Sequence, residues 1–317
     1  MHRAWLALAA IPLFSCAAFA GVDQGLLNLV PPASKVLSGV QVDKSKDSPF
    51  GQYLLNRMHD GDSGLENFVQ STGFDPRRDV QELLFATTGD PSQPRMAVLA
   101  RGYFDAAKIK ATALSHRSQI ETIQGIDILL GGEKSHGAVA VLEPTIAVAG
   151  DRALIESIVR NRKQQSVLDS PDLAEKAQTV SSAGEAWFVS LIPGSALPGS
   201  AKIRAHGQQF NGAVIQSILQ SDGSVHFGDK GIDLSFEALT RSEKDAQSLA
   251  DVVRFFASMV QMQRENHPEA DLMAKSLDTM QLATKGNTMH VSLALPEAAA
   301  EQMLRGSQQP HNRAALK

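Results

Sequence analysis

The sequence predicts an α+β fold built mainly on antiparallel sheets with covering helices, arranged as two similar halves. Three observations lead there. Strand-like segments come in pairs around tight-turn residues, at Gly228-Asp-Lys-Gly231, Glu143-Pro144-Thr145 and Lys285-Gly286-Asn287. Helix starts recur between the pairs, as a capping residue with proline at Ser48-Pro49, Asp75-Pro76 and Ser170-Pro171, and as capping-box spacing in Ser242-Glu-Lys-Asp245. Set in order, both halves read strand, helix, two strands, helix, two strands, helix, a repeat of pattern without visible identity.

Lys35 to Val42 alternates as a strand, with Val36, Gly39 and Val42 among polar neighbours. Helices near 49–58 and 64–72 follow, then strands near 82–88 and 95–101 and a helix over 105–115. Strands near 119–130 and 138–149 and a helix over 152–162 complete the first half. The second half reads strand 186–192, helix 211–220, strands 224–228 and 232–240, and helix 243–265. It closes with a short helix 269–277, strands 279–285 and 288–295, and helix 297–305. The 243–265 helix carries two adjoining apolar stripes, one of Leu249, Val253, Phe256 and Val260, the other of Val252, Phe255, Met259 and Met262. That width suits a central helix covering a sheet and touching a second layer. The sharper alternative is a partner groove, helped by the methionines.

The first twenty residues have the form of a secretory signal. Met1-His2-Arg3 is a short positive end, Ala4 to Phe14 is apolar but short for a span, and Ala18-Phe19-Ala20 places small residues at a cut before Gly21. The expected organisation is signal peptide 1–20, N-terminal linker 21–34, first α+β half 35–183, second half 184–305 and disordered tail 306–317. The join falls between Gln164 and Gly184 or in the stretch Pro193 to Ser200. A second reading takes Leu13-Phe14-Ser15-Cys16 as a lipobox, with Cys16 lipidated and anchoring the chain. Small residues at Ala18 and Ala20 favour the soluble form.

Cleavage at Ala20 leaves 297 residues with a net charge of −5, enough chain for one large domain or two medium ones. Mild acidity leaves no footprint for nucleic acid or anionic lipid. Few aromatic residues remain, with Trp187 the only tryptophan of the mature chain, fewer than stacking platforms for bases or sugar rings usually need. Cys16 is the only cysteine; its removal excludes disulfides, thiol catalysis and cysteine-metal sites. No second apolar run reaches membrane-span length.

Motifs with apparent chemistry fail in context. Gly61-Asp62-Ser63-Gly64 spells the nucleophile tetrapeptide of trypsin-like proteases, yet it falls between two predicted helices and is followed by Leu65-Glu66. His59-Asp60-Gly61-Asp62 suggests calcium, but an EF-hand loop from Asp60 would need glycine and a carboxylate where Leu65 and Ser71 stand. Gly131-Gly132-Glu133-Lys134-Ser135 lacks the spacing of a phosphate loop. Asp105 and Asp151, each ahead of a helical pattern, read as N-caps. Asp79 and Glu82, near Arg77 and Arg78, read as helix-end charge pairing. His116, His136, His206, His226, His267, His290 and His311 are scattered without metal spacing, although His226 and His290 lie on predicted strands with the prospect of converging in space.

Several segments together resemble a group of uncharacterised exported proteins common in Acidobacteria. They are Val36-Leu-Ser-Gly-Val-Gln-Val-Asp43, Ser48-Pro-Phe-Gly-Gln-Tyr-Leu-Leu55, Thr72-Gly-Phe-Asp-Pro-Arg-Arg-Asp79, Ala100-Arg-Gly-Tyr-Phe-Asp105 and Gly286-Asn-Thr-Met-His-Val-Ser-Leu-Ala-Leu-Pro296. The resemblance implies export and a shared fold, and no activity. The expectation is a periplasmic or envelope protein, a non-enzymatic binding or scaffolding module whose partner is an envelope protein or small ligand. The alternative is an extracytoplasmic hydrolase with a site assembled from distant segments. No catalytic, cofactor-binding or metal-binding residue is assigned, and no cofactor is expected.

Overall fold

The computed structural model describes residues 21–57, 74–90, 93–131, 137–164, 166–197, 202–205, 208–262 and 274–301. Twelve strands form one antiparallel sheet. In chain order these are β1 (Ser34–Gln41), β2 (Val80–Thr88), β3 (Met96–Gly102), β4 (Gln119–Ile123), β5 (Ile126–Leu130), β6 (Gly137–Glu143) and β7 (Ile146–Asp151). There follow β8 (Ala186–Ser190), the separate hairpin β9 (Lys202–Ala205) and β10 (Gln208–Asn211), β11 (Ile218–Gly228), β12 (Gly231–Thr240), β13 (Gln281–Lys285) and β14 (Thr288–Pro296). Their lateral order is β13-β14-β12-β11-β8-β1-β2-β3-β7-β6-β5-β4. The α+β class with mainly antiparallel sheet is therefore the observed one. β1 pairs with β8, so the sheet runs unbroken past Gly184, where the sequence divides the chain.

Local chemistry explains the helix starts. Asp105 opens α5 (Ala106–Ser115) by accepting the Lys108 N–H, and Asp151 opens α6 (Arg152–Asn161) by accepting from Ala153 and Leu154. Both aspartates are caps, as their positions ahead of apolar runs predict. Earlier helices are the short α1 (Gln24–Leu27) and α2 (Val42–Ser45), then α3 (Pro49–Arg57) and the single turn α4 (Pro76–Asp79). Later ones are α7 (Pro171–Ser181), the short α8 (Ala213–Gln216) and α9 (Glu243–Met262). Ser242 caps α9 in the expected box, its Oγ accepting the Asp245 N–H and donating to the Asp245 carboxylate. At α7 the Ser170 hydroxyl instead accepts a bond from Lys35 Nζ at 2.6 Å.

Antiparallel register puts Leu37, Leu84, Leu99, Val148 and Val189 on one face of the sheet. Helices α1, α6 and α7 cover it, burying Leu26, Ile155, Val159 and Leu173 in the main core. On the other face α9 seats Leu249 and Ala250 on Ala238 and Met289, and α3 seats Phe50 near Ile232 and Leu295.

Several expectations are corrected. Residues 21–34 are no linker: Val22, Leu26, Leu27 and Val30 are buried in the main core. The Val22 N–H donates to Ser181 Oγ at 2.8 Å, and Arg101 holds Asp23, the cap of α1. The strand over 119–130 is two, folded at Gln124 and Gly125, which both take positive φ as a tight hairpin turn requires. The helix over 211–220 shrinks to Ala213–Gln216, because β11 begins at Ile218 and runs eleven residues beside β12. The expected helix 64–72 and tail 306–317 lie outside the described residues, and 269–277 is described only over 274–277.

Glu82 on β2 is also misplaced by proximity in sequence. It does not pair at the helix end with Arg77 and Arg78; its carboxylate accepts the Asp23 N–H at 3.1 Å, beside Arg101. Burial pushes this carboxyl above the usual glutamate range, with the nearby Asp23 charge adding to the effect and the Asp23 N–H and Arg101 opposing it. A raised folded-state pKa means the folded protein binds this proton more tightly than the unfolded chain. Its contribution is then full below the unfolded pKa and lost as pH rises through the folded one. Glu82→Gln is expected to be more stable than the parent at neutral pH, with the gain falling away as the pH drops through the raised pKa of Glu82 and gone below the ordinary glutamate value of about 4.3. Urea unfolding at both pH values checks this.

Candidate binding cavity

The stretch from β3 to β7 is apolar on both sides of the sheet. Along Met96–Ala100, Ala138–Val141 and Ile146–Ala149, consecutive residues are nearly all apolar, so neither face suits water. One face is used by the main core. The other carries Leu83, Val98, Ala100, Val139, Ala147 and Ala149, and beneath α5 these border a cavity of about 1090 Å³. Its roof is Ile109, Thr112 and Ala113 of α5, with His116 and Ser118 at one end and Phe74 and Phe104 at another. The two phenyl rings stack with centroids 5.4 Å apart.

The cavity exists because the side chains facing it are short. Ala100 pairs with Ala147 across β3 and β7, and Val98 pairs with Ala149, so the floor carries little bulk. Helix α5 buries none of its residues. A contrast lies in the same sheet. Helix α9 also follows a hairpin, β11–β12, and lies on the same face, yet its Leu249 and Ala250 are packed against the strands. One helix is seated on its strands and the other is held away from them by an apolar gap. The volume is just above the roughly 300–1,000 Å³ usual for ligand pockets.

Of the residues singled out in the sequence, His116 and Gly131 border the cavity and the other described ones lie elsewhere. Residues 59–66 and Ser71, with both motifs placed there, and all of Gly131–Ser135 except Gly131 lie outside the described residues. Asp79 accepts from Arg78, which holds its carboxyl below the usual range, as helix-end pairing predicts. His226 bonds Glu185 through Nδ1 at 3.1 Å, on the same face as His290. The register sets the two histidines two strands apart and four positions along, roughly 13 Å in the strand direction, so they do not converge.

A nucleophile-and-base arrangement does occur at Ser235, whose Oγ lies 3.1 Å from His290 Nε2. Here β12 is paired along both edges, with β11 and β14. The N–H groups flanking Ser235 belong to those ladders and do not form an oxyanion hole, so the hydrolase alternative gains little. Among the described residues no group of three histidine, cysteine or carboxylate side chains is placed to hold a metal.

Sequence reasoning missed the cavity because its lining is spread over β2, β3, β5, β6, β7 and α5. The signal was the loss of alternation in β3, β6 and β7, which marks a strand with two apolar faces.

No protein-family model matches the chain, and no curated protein matches it. Its likeness is to solved structures of TP0453. Crystal form III aligns with a TM-score of 0.55 at 10% identity, covering 90% of this chain and 99% of that one. Crystal form IV aligns at 0.53 and 11% identity, covering 91% and 98%. The similarity is one of fold and extends over nearly the whole of both chains.

Proposed function

We propose that this is an exported, non-enzymatic binding protein that holds an elongated apolar ligand, in its simplest form a fatty acyl chain, between α5 and the sheet. The cavity of about 1090 Å³, walled by apolar side chains, is the observation that carries the reading. Apolar surface left in water costs about 25 cal/mol per Å², so a ligand that covers this surface is bound by the same effect that forms a core. The few polar groups at the end, His116 and Ser118, suit orientation of a polar head more than chemistry.

Export is supported by the signal pattern of residues 1–20 and by the resemblance to exported proteins common in Acidobacteria. Val22, two residues past the proposed cut after Ala20, is buried in the folded body. Lipidation at Cys16 would leave only Ala17–Ala20 as tether, roughly 14 Å when extended, and would hold the body against the membrane. Among the described residues no helix is long and apolar enough to cross a membrane. Intact mass of the exported protein distinguishes a start at Gly21 from a lipidated Cys16.

The binding test uses N-phenyl-1-naphthylamine, a neutral apolar fluorophore, with palmitate as competitor. Saturable fluorescence enhancement, reversed by palmitate, is expected for the mature protein. Ala149→Phe puts a ring into the gap and is expected to weaken binding at least about tenfold without loss of cooperative unfolding. Absence of saturable enhancement, or equal affinity in the folded variant, rules the reading out.

A further inference from the structure

The opposite face of the sheet changes character in the second half. Where α6 and α7 cover the first-half strands, the face is apolar; beyond α7 it carries Asp222 and Ser224 on β11, Ser235 and Glu237 on β12, and His290 on β14. Helix α7 walls this stretch with Glu175 and Lys176, giving a polar groove of about 630 Å³.

An open, solvated sheet face would present such residues at full exposure. Here two of the polar floor residues are more than nine-tenths buried: Asp222 is 7% exposed and Ser224 8%. Among the described residues Asp222 has one ionic partner, Lys176 Nζ at 3.4 Å. Among the described residues the Ser224 hydroxyl has no hydrogen-bond partner, and it lines the groove, where a ligand can reach it. Glu237, half-buried and directly opposite both Asp222 and His290 in register, has no cation beside it among the described residues. Among the described residues lining the groove, four carboxylates, those of Asp172, Glu175, Asp222 and Glu237, thus share one ammonium.

We propose that this groove is a second binding site, for a small organic cation carrying amine and hydrogen-bonding groups. The acidic balance disfavours anions. The acceptors are spread along the groove and are not gathered as a metal shell, which suits an extended amine better than a metal ion. Glu237 supplies the main ionic contact, Ser224 a hydrogen bond from the floor, and His290, held by Ser235, closes one side. The site is on the face opposite the apolar cavity and stands independently of it.

Isothermal titration of the mature protein with 1,4-diaminobutane at fixed ionic strength tests the assignment. Saturable binding is expected, weakened at least about tenfold by Glu237→Gln, the ordinary effect of removing one charged partner. Ser224→Val, which fills the floor without changing charge, is expected to weaken it as well. Both variants should bind N-phenyl-1-naphthylamine as the parent protein does, which separates this site from the cavity. Absence of saturable diamine binding, or undiminished affinity in either folded variant, overturns the proposal.

Discussion

Leu26→Ala is expected to destabilise the protein by about 3 kcal/mol, a core-sized effect from a residue only six positions past the expected cut. Leu26 is fully buried on α1 and packs in the cluster that also holds Leu84, Leu99 and Leu173. Truncation removes three carbons from that cluster. Its neighbours belong to a twelve-stranded sheet and to α7, which cannot collapse onto the space freely, so the cost includes a cavity as well as lost burial. Urea unfolding followed by the emission of Trp187, the one tryptophan after Ala20, measures the effect directly. A loss below about 1 kcal/mol would mean that residues 21–34 are a peripheral strap after all.

Gly39→Ala is the second large effect, at about 2–3 kcal/mol. Gly39 sits mid-strand on β1, opposite Trp187 on β8 and Leu84 on β2. A Cβ there would fall 2.6–2.7 Å from three atoms of the Trp187 indole. The ring is 4% exposed and close to the β1/β8 pair that joins the two parts of the sheet, so it has little room to turn. Any accommodation must shift the indole or spread the strands. The same urea series reads it out, and a change in Trp187 emission of the folded variant would report the displaced ring. Unchanged stability and emission would show that the indole yields easily and that Gly39 is no packing requirement.

Both predictions rest on residues whose importance the sequence shows unevenly. Gly39 lies in an evident strand, but nothing near it announces the tryptophan about 150 residues later. Leu26 falls in a short apolar stretch after a signal pattern, where its period is too brief to read as helix or strand. Caps were more legible: Asp105, Asp151 and Ser242 each satisfy backbone donors within three residues, a contact that needs no tertiary information. Turns with glycine at positive φ, such as Gly286, were legible for the same reason. The Gln124-Gly125 turn was not, because glutamine is an unusual occupant of a left-handed position.

For the sites the limit is the same one at greater distance. The polar groove joins Glu175 on a helix to Glu237 and His290 on strands more than fifty residues away, and the apolar cavity is lined from five strands. By itself, then, the sequence determined the α+β class, most strand and helix positions, their caps and an export pattern at the N-terminus. All of these rest on interactions among near neighbours or on periodicity within one element. Only the tertiary structure decided which residues 21–34 touch, that one sheet spans both parts of the chain, and where the cavity and the groove lie. Strand order and register bring distant residues to one face, and whether a gap remains depends on the sizes of side chains that meet only after folding.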